Sequence, residues 1–428
     1  MRKFLDFPYR AFKFLHLPEL SFYSNAFYLM IDSVSGALLG FIFWFVAARR
    51  FNTESVGLSS ALISAVTLLA FIAGLGMDDG IIRFLPSAVD KDKFVNNILT
   101  LTGITGIIIS AIFILGIPFW SPALTIIHEN PVYAVAFTVF VTISVYYAML
   151  GAVCISYKRA DFQLTRSLIL NLGKLLILTV VASILGRLGI LFSWGTAMTL
   201  ATIFCMLYLL PKLIRGYRPG LKLEKKINEE MIRFSLTNYL SGALWSMPLW
   251  ILPLMIINIL GATSTAQFFI GQSVGAILVA IPSAISTSIY AEGSNKIESL
   301  KKNVKRGILL IALLLIPSEI ILLVFGGFIL SLFGSDYTTA GIFTLRCIAL
   351  SAIPFSITFL YLTVSQVEKH LLQIIWICGS IAFGILVFGY VFLKIMGING
   401  AAIAWLVTHT IVALVVTPFL FKYMMNNK

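Results

Sequence analysis

Charge is what this sequence lacks. Asp, Glu, Lys and Arg make up 11% of its 428 residues, and hydrophobic residues make up 59%. A soluble domain carries about 25% charged residues. No polar stretch approaches the ~50 residues of a small domain, so a soluble globular chain is excluded. Acid is scarcer than base: 18 Asp and Glu stand against 31 Lys and Arg, for a formal charge of +13. In a soluble protein that balance would point to nucleic acid. In a membrane protein it is topological, because basic residues collect in cytoplasmic loops and face anionic phospholipid. No nucleic-acid partner is expected.

Cysteine is equally sparse. Cys154, Cys205, Cys347 and Cys378 all lie in apolar segments. None has a CxxC partner or a His at metal-ligand spacing, so they read as small packing residues rather than a disulfide framework or metal site. Walker, GxGxxG and HExxH signatures are missing too. That argues against an enzyme and against ATP-driven transport by this chain alone. No metal or cofactor is expected beyond a coupling Na+ or H+. The N-terminal MRKFLDFPYRAFKFLHLPEL is basic, but Asp6, Pro8, Arg10 and Lys13 interrupt any hydrophobic region. It reads as an amphipathic arm on the inner surface, not a cleavable signal peptide.

What is present is a series of apolar segments long enough to span a bilayer, about 20 residues each. Twelve are expected. In the first half they are Asn25–Ala47, Val56–Gly76, Ile98–Phe119, Pro131–Ile155, Leu164–Leu185 and Leu188–Leu210. In the second half they are Ser235–Ile257, Gln267–Tyr290, Gly307–Phe325, Ala340–Val364, Leu371–Leu393 and Ile398–Phe421. With both termini in the cytoplasm, the outer loops hold only Arg49, Arg50, Arg187 and Lys394, and nearly all other Lys and Arg face inward.

The longest polar run, Pro211–Phe234, sits at the midpoint and holds seven Lys or Arg residues. It reads as a cytoplasmic linker. Its Pro219-Gly220 turn precedes an amphipathic run, Leu223, Ile227 and Met231, that would suit the membrane surface. The chain then divides into a lobe at 1–211, a linker at 212–234 and a second lobe at 235–428. The halves resemble each other. Asn25 and Asn238 open their first helices, and Gly80 and Gly293 close their second, both pairs 213 residues apart. Six helices per half is an even number, so the repeat is parallel, and substrate is expected between the halves.

Ionisable residues inside spans cost about 2.5–3.5 kcal/mol each on insertion scales and are therefore functional candidates. Asp32 lies on a face with Asn25, Tyr28, Ser35, Gly36 and Gly40. That stripe is either a cavity wall with a cation site or a close-packing seam. Lys174 shares a face with Ser167 and Asn171. It would suit an anionic diphosphate, or a salt bridge to Asp32. Glu319 follows Pro317 and would couple an ion or cap a kink, as Asp32 would couple an ion. Arg346 reads as snorkelling outward. Asp78, Asp79, Arg83 and Glu292 lie at the cytoplasmic rim, as gate residues or as solvated charges. Asn238, Ser241, Gly242 and Trp245 share one face, and Gln272, Gly275, Ser283, Ser286 and Tyr290 another. Pro248, Pro253 and Pro282 predict kinks. His409 reads as a packed, hydrogen-bonded histidine.

The twelve-span layout, the paired asparagines, GLGMDDGIIRFLP and the basic linker together resemble the polysaccharide-biosynthesis flippases. These form a branch of the multidrug/oligosaccharidyl-lipid/polysaccharide exporter superfamily. The motifs are loose and speak to layout more than to substrate. The chain ends after its twelfth span, unlike the peptidoglycan-lipid branch with two more. The resemblance implies an all-α protein of two parallel six-helix lobes in the cytoplasmic membrane. It implies alternating access for a lipid-linked oligosaccharide, a sugar head group on a polyprenyl diphosphate, possible to carry out as a monomer. The alternative is a cation-coupled multidrug exporter, with Asp32 and Glu319 binding a cationic drug or ion. The substrate cavity is then expected at Asn25, Asp32, Lys174, Asn238, Trp245, Gln272, Ser286 and Tyr290.

Overall fold

The computed structural model describes residues 20–181, 186–221, 229–295 and 297–425. The N-terminal arm, the linker positions Leu223 and Ile227, and the Asn238 side chain lie outside the described residues. Every regular element is helical. Numbering helices of eight residues or more, the first half of the chain carries α1 (Leu20–Arg50), α2 (Thr53–Gly74), α3 (Met77–Phe84), α4 (Lys91–Trp120), α5 (Pro131–Ser156), α6 (Ala160–Val181) and α7 (Gly189–Phe204). Then follow α8 (Glu229–Leu260), α9 (Ala262–Gly275), α10 (Ala280–Asn295), α11 (Leu300–Phe333), α12 (Ser335–Val367), α13 (Leu371–Met396) and α14 (Ile398–Met425). Among the described residues, eleven helices are long and apolar enough to cross a membrane, and twelve if the bent pair α9–α10 counts as one. In hydrocarbon only a helix or a closed barrel satisfies its own backbone, which is why these apolar runs are helical throughout. This is a multi-pass, all-α membrane protein.

Local chemistry sets the helix starts. The Asn52 side chain accepts from Ser55 N–H (2.9 Å) at α2, and Asp90 from Lys93 N–H (3.1 Å) at α4. Asn130 accepts from Val132 N–H (2.9 Å) at α5, with Pro131 at the first helical position.

The eighth expected span is not one straight helix. α9 and α10 meet at 50°. From Ile277 to Ile281 the N–H groups donate to the carbonyl three residues back, the tighter 3₁₀ pattern. Pro282 explains the place: it has no N–H for the Leu278 carbonyl, and its ring crowds that turn. Helix assignment runs unbroken through Pro248, Pro253 and Pro317. The second span also ends earlier than its sequence suggests. Leu75 and Gly76 take left-handed backbone (φ 53° and 69°), so α2 stops at Gly74, and Asp78 and Asp79 fall in the first turn of α3.

By contact, the chain divides into two compact units. One comprises the chain up to Arg50 with Ala65–Tyr239, the other Phe51–Ser64 with Leu240–Lys428. In the first, α1 packs on α6, α6 on α7, and α5 on α3, α4 and α7. The start of α8 belongs here. Met231 is 2% exposed within a core of Ile81, Leu85, Met149 and Tyr217, so it is a core residue rather than a membrane-surface one. A side chain at Gly76 would meet the Ser235 carbonyl at 2.7 Å, so only glycine suits both its φ and that approach. The linker's first part is tied down. Asn96 of α4 accepts from Tyr217 O–H (2.8 Å) and donates to the Arg218 carbonyl (2.8 Å) and to Asp92 (3.2 Å). In the second unit α12 is central and packs on α9, α10, α11 and α14. The first turns of α2 dock into it: Thr53 Oγ1 donates to Asp336 Oδ2 (2.8 Å), and Gly57 lies against the Ala262 backbone.

Candidate functional site

Polar chemistry inside the spans gathers in two places, one in each unit. The first is the α1–α6 seam. Along α6, Gln163, Arg166, Ser167, Asn171 and Lys174 recur at helical spacing and form one face. Gln163 joins two charges. Its Nε2 donates to Asp32 Oδ2 (3.3 Å), and its Oε1 accepts from Arg166 Nη1 (2.8 Å). Arg166 is 2% exposed, donates from Nη2 to the Tyr147 carbonyl (2.6 Å), and lies 3.6 Å from the Tyr147 ring centroid. One Asp32 carboxylate oxygen and the Arg166 Nε have no partner among the described residues. Asn171 donates to the Ser167 carbonyl (2.9 Å).

Lys174 is 8% exposed, with its ammonium 5.0 Å from the Phe43 ring centroid. Among the described residues it has no carboxylate in salt-bridge range. The alternative of a bridge to Asp32 fails on geometry. Asp32 pairs with the level of Gln163 and Phe43 with that of Lys174, and eleven residues of helix separate the two by roughly 16 Å. The seam thus holds two buried cations against one carboxylate.

Arg166 is the residue sequence reasoning missed. Starting the helix at Leu164 left Arg166 among the loop cations and cut Gln163 off altogether. Extending the Ser167–Asn171–Lys174 face back by one turn would have found both. Asn25 Oδ1 accepts from Ala160 N–H (3.2 Å) and caps α6 from the neighbouring helix.

The second place is a cavity of about 410 Å³ within the second unit, where α8, α9, α10, α12, α13 and α14 converge. Trp245, Phe355, Phe359 and Trp405 form its aromatic wall, and Gln272 and His409 its polar part. Trp245 lies 5.7 Å from Phe355 and 5.5 Å from Phe359, ring centre to ring centre. His409 sits between Phe355 (5.5 Å) and Trp405 (5.3 Å) and is 2% exposed. It is packed as expected, but among the described residues neither ring nitrogen has a partner, and neither does Gln272 Nε2. The break between α9 and α10 contributes Ala276 and Val279 to the lining. Trp245 and Gln272 are thus brought together. Ser286 and Tyr290 are not; Ser286 is buried with an unpaired hydroxyl, and Tyr290 is exposed.

Glu319 is 5% exposed in α11, and its Oε2 has no partner among the described residues. Arg346 is exposed. Of the rim residues, Arg83 lies 4.2 Å from the Phe234 ring centroid, and Glu292 Oε2 accepts from Asn303 (2.7 Å). Burial, and then the adjacent Asp78 charge, push the Asp79 carboxyl above its ordinary value. No group of His, Cys, Asp and Glu suited to a metal occurs among the described residues.

Solved structures share this architecture. One is a lipid II flippase MurJ in an inward closed conformation, 13% identical, with a TM-score of 0.76 over 93% of this chain and 87% of that one. Another is an inward-facing multidrug resistance MATE family transporter of the MOP superfamily. It is 14% identical, with a TM-score of 0.65 over 94% of this chain and 98% of that one. A third is a MOP superfamily transporter from Pyrococcus furiosus described as having reversed binding-pocket polarity. It is 13% identical, with a TM-score of 0.61 over 95% of both chains. No curated protein matches this sequence. The chain therefore shares the fold of these structures. The model of one family, described as polysaccharide biosynthesis protein, matches residues 22–291, and the chain belongs to that family.

Proposed function

We propose that this protein is a flippase for lipid-linked oligosaccharides. It moves polyprenyl-diphosphate sugars across the cytoplasmic membrane for surface polysaccharide or glycoprotein assembly. The observation that carries the reading is the α1–α6 seam, where Arg166 and Lys174 are both buried without a salt bridge among the described residues. An unpaired cation inside a span is costly unless an anion completes it. A diphosphate is such an anion, and the family supports a glycan as what it carries. The two-lobed layout, with halves at 1–211 and 235–428 and cytoplasmic termini, would open alternately to each side. Asp78, Asp79, Arg83 and Glu292 would line the inner opening. Asp32 and Glu319, each with an unpaired carboxylate oxygen, are the proposed Na+ or H+ sites. Anionic phospholipid would face the inner loops.

Those two carboxylates also favour a second reading, a cation-coupled multidrug exporter. The excess of base in the seam weighs against it. Reconstituted vesicles separate the two. The flippase reading expects a polyprenyl-diphosphate glycan in the inner leaflet to become accessible outside, with the rate falling at least roughly tenfold in Arg166→Gln and Lys174→Met. Efflux of an organic cation without glycan translocation would establish the exporter instead.

A further inference from the structure

We infer that the cavity of the second unit is a binding site for an uncharged sugar ring, held by stacking on Trp245 and Trp405 and by hydrogen bonds to His409 and Gln272. As a subsite for the glycan head group it rests on the flippase reading; as a sugar-binding cavity it is testable by itself.

The chemistry of the wall selects the ligand. None of its sixteen described lining residues is Asp, Glu, Lys or Arg. A phosphate would find no cation there. An organic cation would find aromatic faces but no carboxylate, and it would offer no acceptor to the Gln272 amide. An isoprenoid tail would match the aromatics but would bury the Gln272 donor and both His409 nitrogens without partners, which is the costly outcome for polar groups. A neutral imidazole presents one donor and one acceptor. With the Gln272 amide beside it, the site asks for a ligand having an apolar face and several groups that both donate and accept. A pyranose is that ligand: its axial C–H face lies on an aromatic ring while its hydroxyls serve both roles. Ser273 and Ser283 add acceptor capacity. Their hydroxyls already donate to the Phe269 and Val279 carbonyls (2.7 and 2.8 Å), which leaves these oxygens as acceptors in the lining of the cavity. About 410 Å³ lies in the range of small-ligand pockets and admits one or two such rings.

The test uses the full chain purified in nanodiscs and its tryptophan fluorescence. Glucose and N-acetylglucosamine are titrated separately, with geranylgeraniol and tetraphenylphosphonium as apolar and cationic probes. Saturable change with either sugar is expected, with Kd on the order of millimolar. His409→Leu and Gln272→Leu should each weaken it at least roughly tenfold, while His409→Gln, which keeps a donor and an acceptor, retains it. A thermal melt of each variant certifies its fold. No saturable sugar response in the wild-type protein overturns the inference, as does a response indifferent to both leucine variants. Geranylgeraniol or tetraphenylphosphonium binding that the same variants abolish, with sugars inert, overturns it too. Repeating the titration with the same sugar on a polyprenyl diphosphate distinguishes a free saccharide from a lipid-linked one. Sugar binding with no translocation in vesicles would sink the flippase reading and leave this site standing. Translocation with no sugar binding would do the reverse.

Discussion

Lys174 makes the sharpest test, because stability and function should move in opposite directions when it is replaced. In Lys174→Met the chain keeps its length and apolar stem but loses the ammonium. Placing a Lys at the centre of a span costs about 2.5–3.5 kcal/mol on insertion scales. Among the described residues, the contact beside the ammonium is the Phe43 ring at 5.0 Å, and such a contact returns about 0.5–2 kcal/mol. The difference, roughly 0.5–3 kcal/mol, is strain that the unliganded protein carries and the methionine variant relieves. Its melting temperature in detergent should therefore rise by a few degrees. Transport should fall, because a charge-assisted hydrogen bond to a diphosphate contributes about 1.5–3 kcal/mol, or roughly 10- to 100-fold in apparent affinity. The assays are a thermal melt of purified protein and head-group accessibility in vesicles. Lys174→Gln should fall between wild type and methionine in both. If Lys174→Met lowers the melting temperature, the ammonium is a structural group with a partner, and its assignment to substrate is wrong. If stability rises and transport is unchanged, the diphosphate is read elsewhere.

Three further outcomes are expected. Asn96→Leu removes the acceptor of the buried Tyr217 hydroxyl and a donor to the Arg218 carbonyl; it should cost about 2–4 kcal/mol, read as a lowered melting temperature. Pairing it with Tyr217→Phe should cost less than the sum of the single changes, since they share one hydrogen bond; strict additivity would refute the tie. Gly57→Ala should destabilise by about 1–3 kcal/mol, because the new methyl meets the Ala262 carbonyl, and an unchanged melt would show that α2 shifts freely there. For Asp79, the folded carboxyl is raised above 3.8, so the folded state binds more protons than the unfolded one just above that value. This residue's contribution to stability therefore rises as pH falls from neutral toward 3.8. Asp79→Asn should stabilise at neutral pH and flatten that part of the melting profile, and an unaltered profile would count against the assignment.

How much of this was legible depended on depth and on register. The apolar segments announced themselves, because hydrocarbon leaves a chain no other way to satisfy its backbone. Lys174 stood out as a charge in the middle of such a segment, and Asp32 likewise. Arg166 did not, because it is only the seventh residue of α6, where a few residues of boundary error turn a buried cation into a loop cation. Pro282 marked the break in the eighth span, since a missing N–H is a local property. His409 was visible as an isolated histidine in an apolar helix. That its nitrogens lack protein partners was not visible, because the groups that might have paired with them come from other helices.

The sequence by itself determined that this is a multi-pass helical membrane protein with a basic linker at its midpoint, because hydropathy and prolines act over one or two turns of chain. Only the tertiary structure decided which charges meet. Gln163 bridges Asp32 and Arg166 across 131 residues of sequence, Lys174 rests on Phe43 rather than on a carboxylate, and Trp245 and His409 close one cavity from opposite ends of the second half. The physical reason is that a side chain's partner is set by which helix face lies opposite. That choice is made by packing among neighbours distant in sequence, where no local pattern reaches.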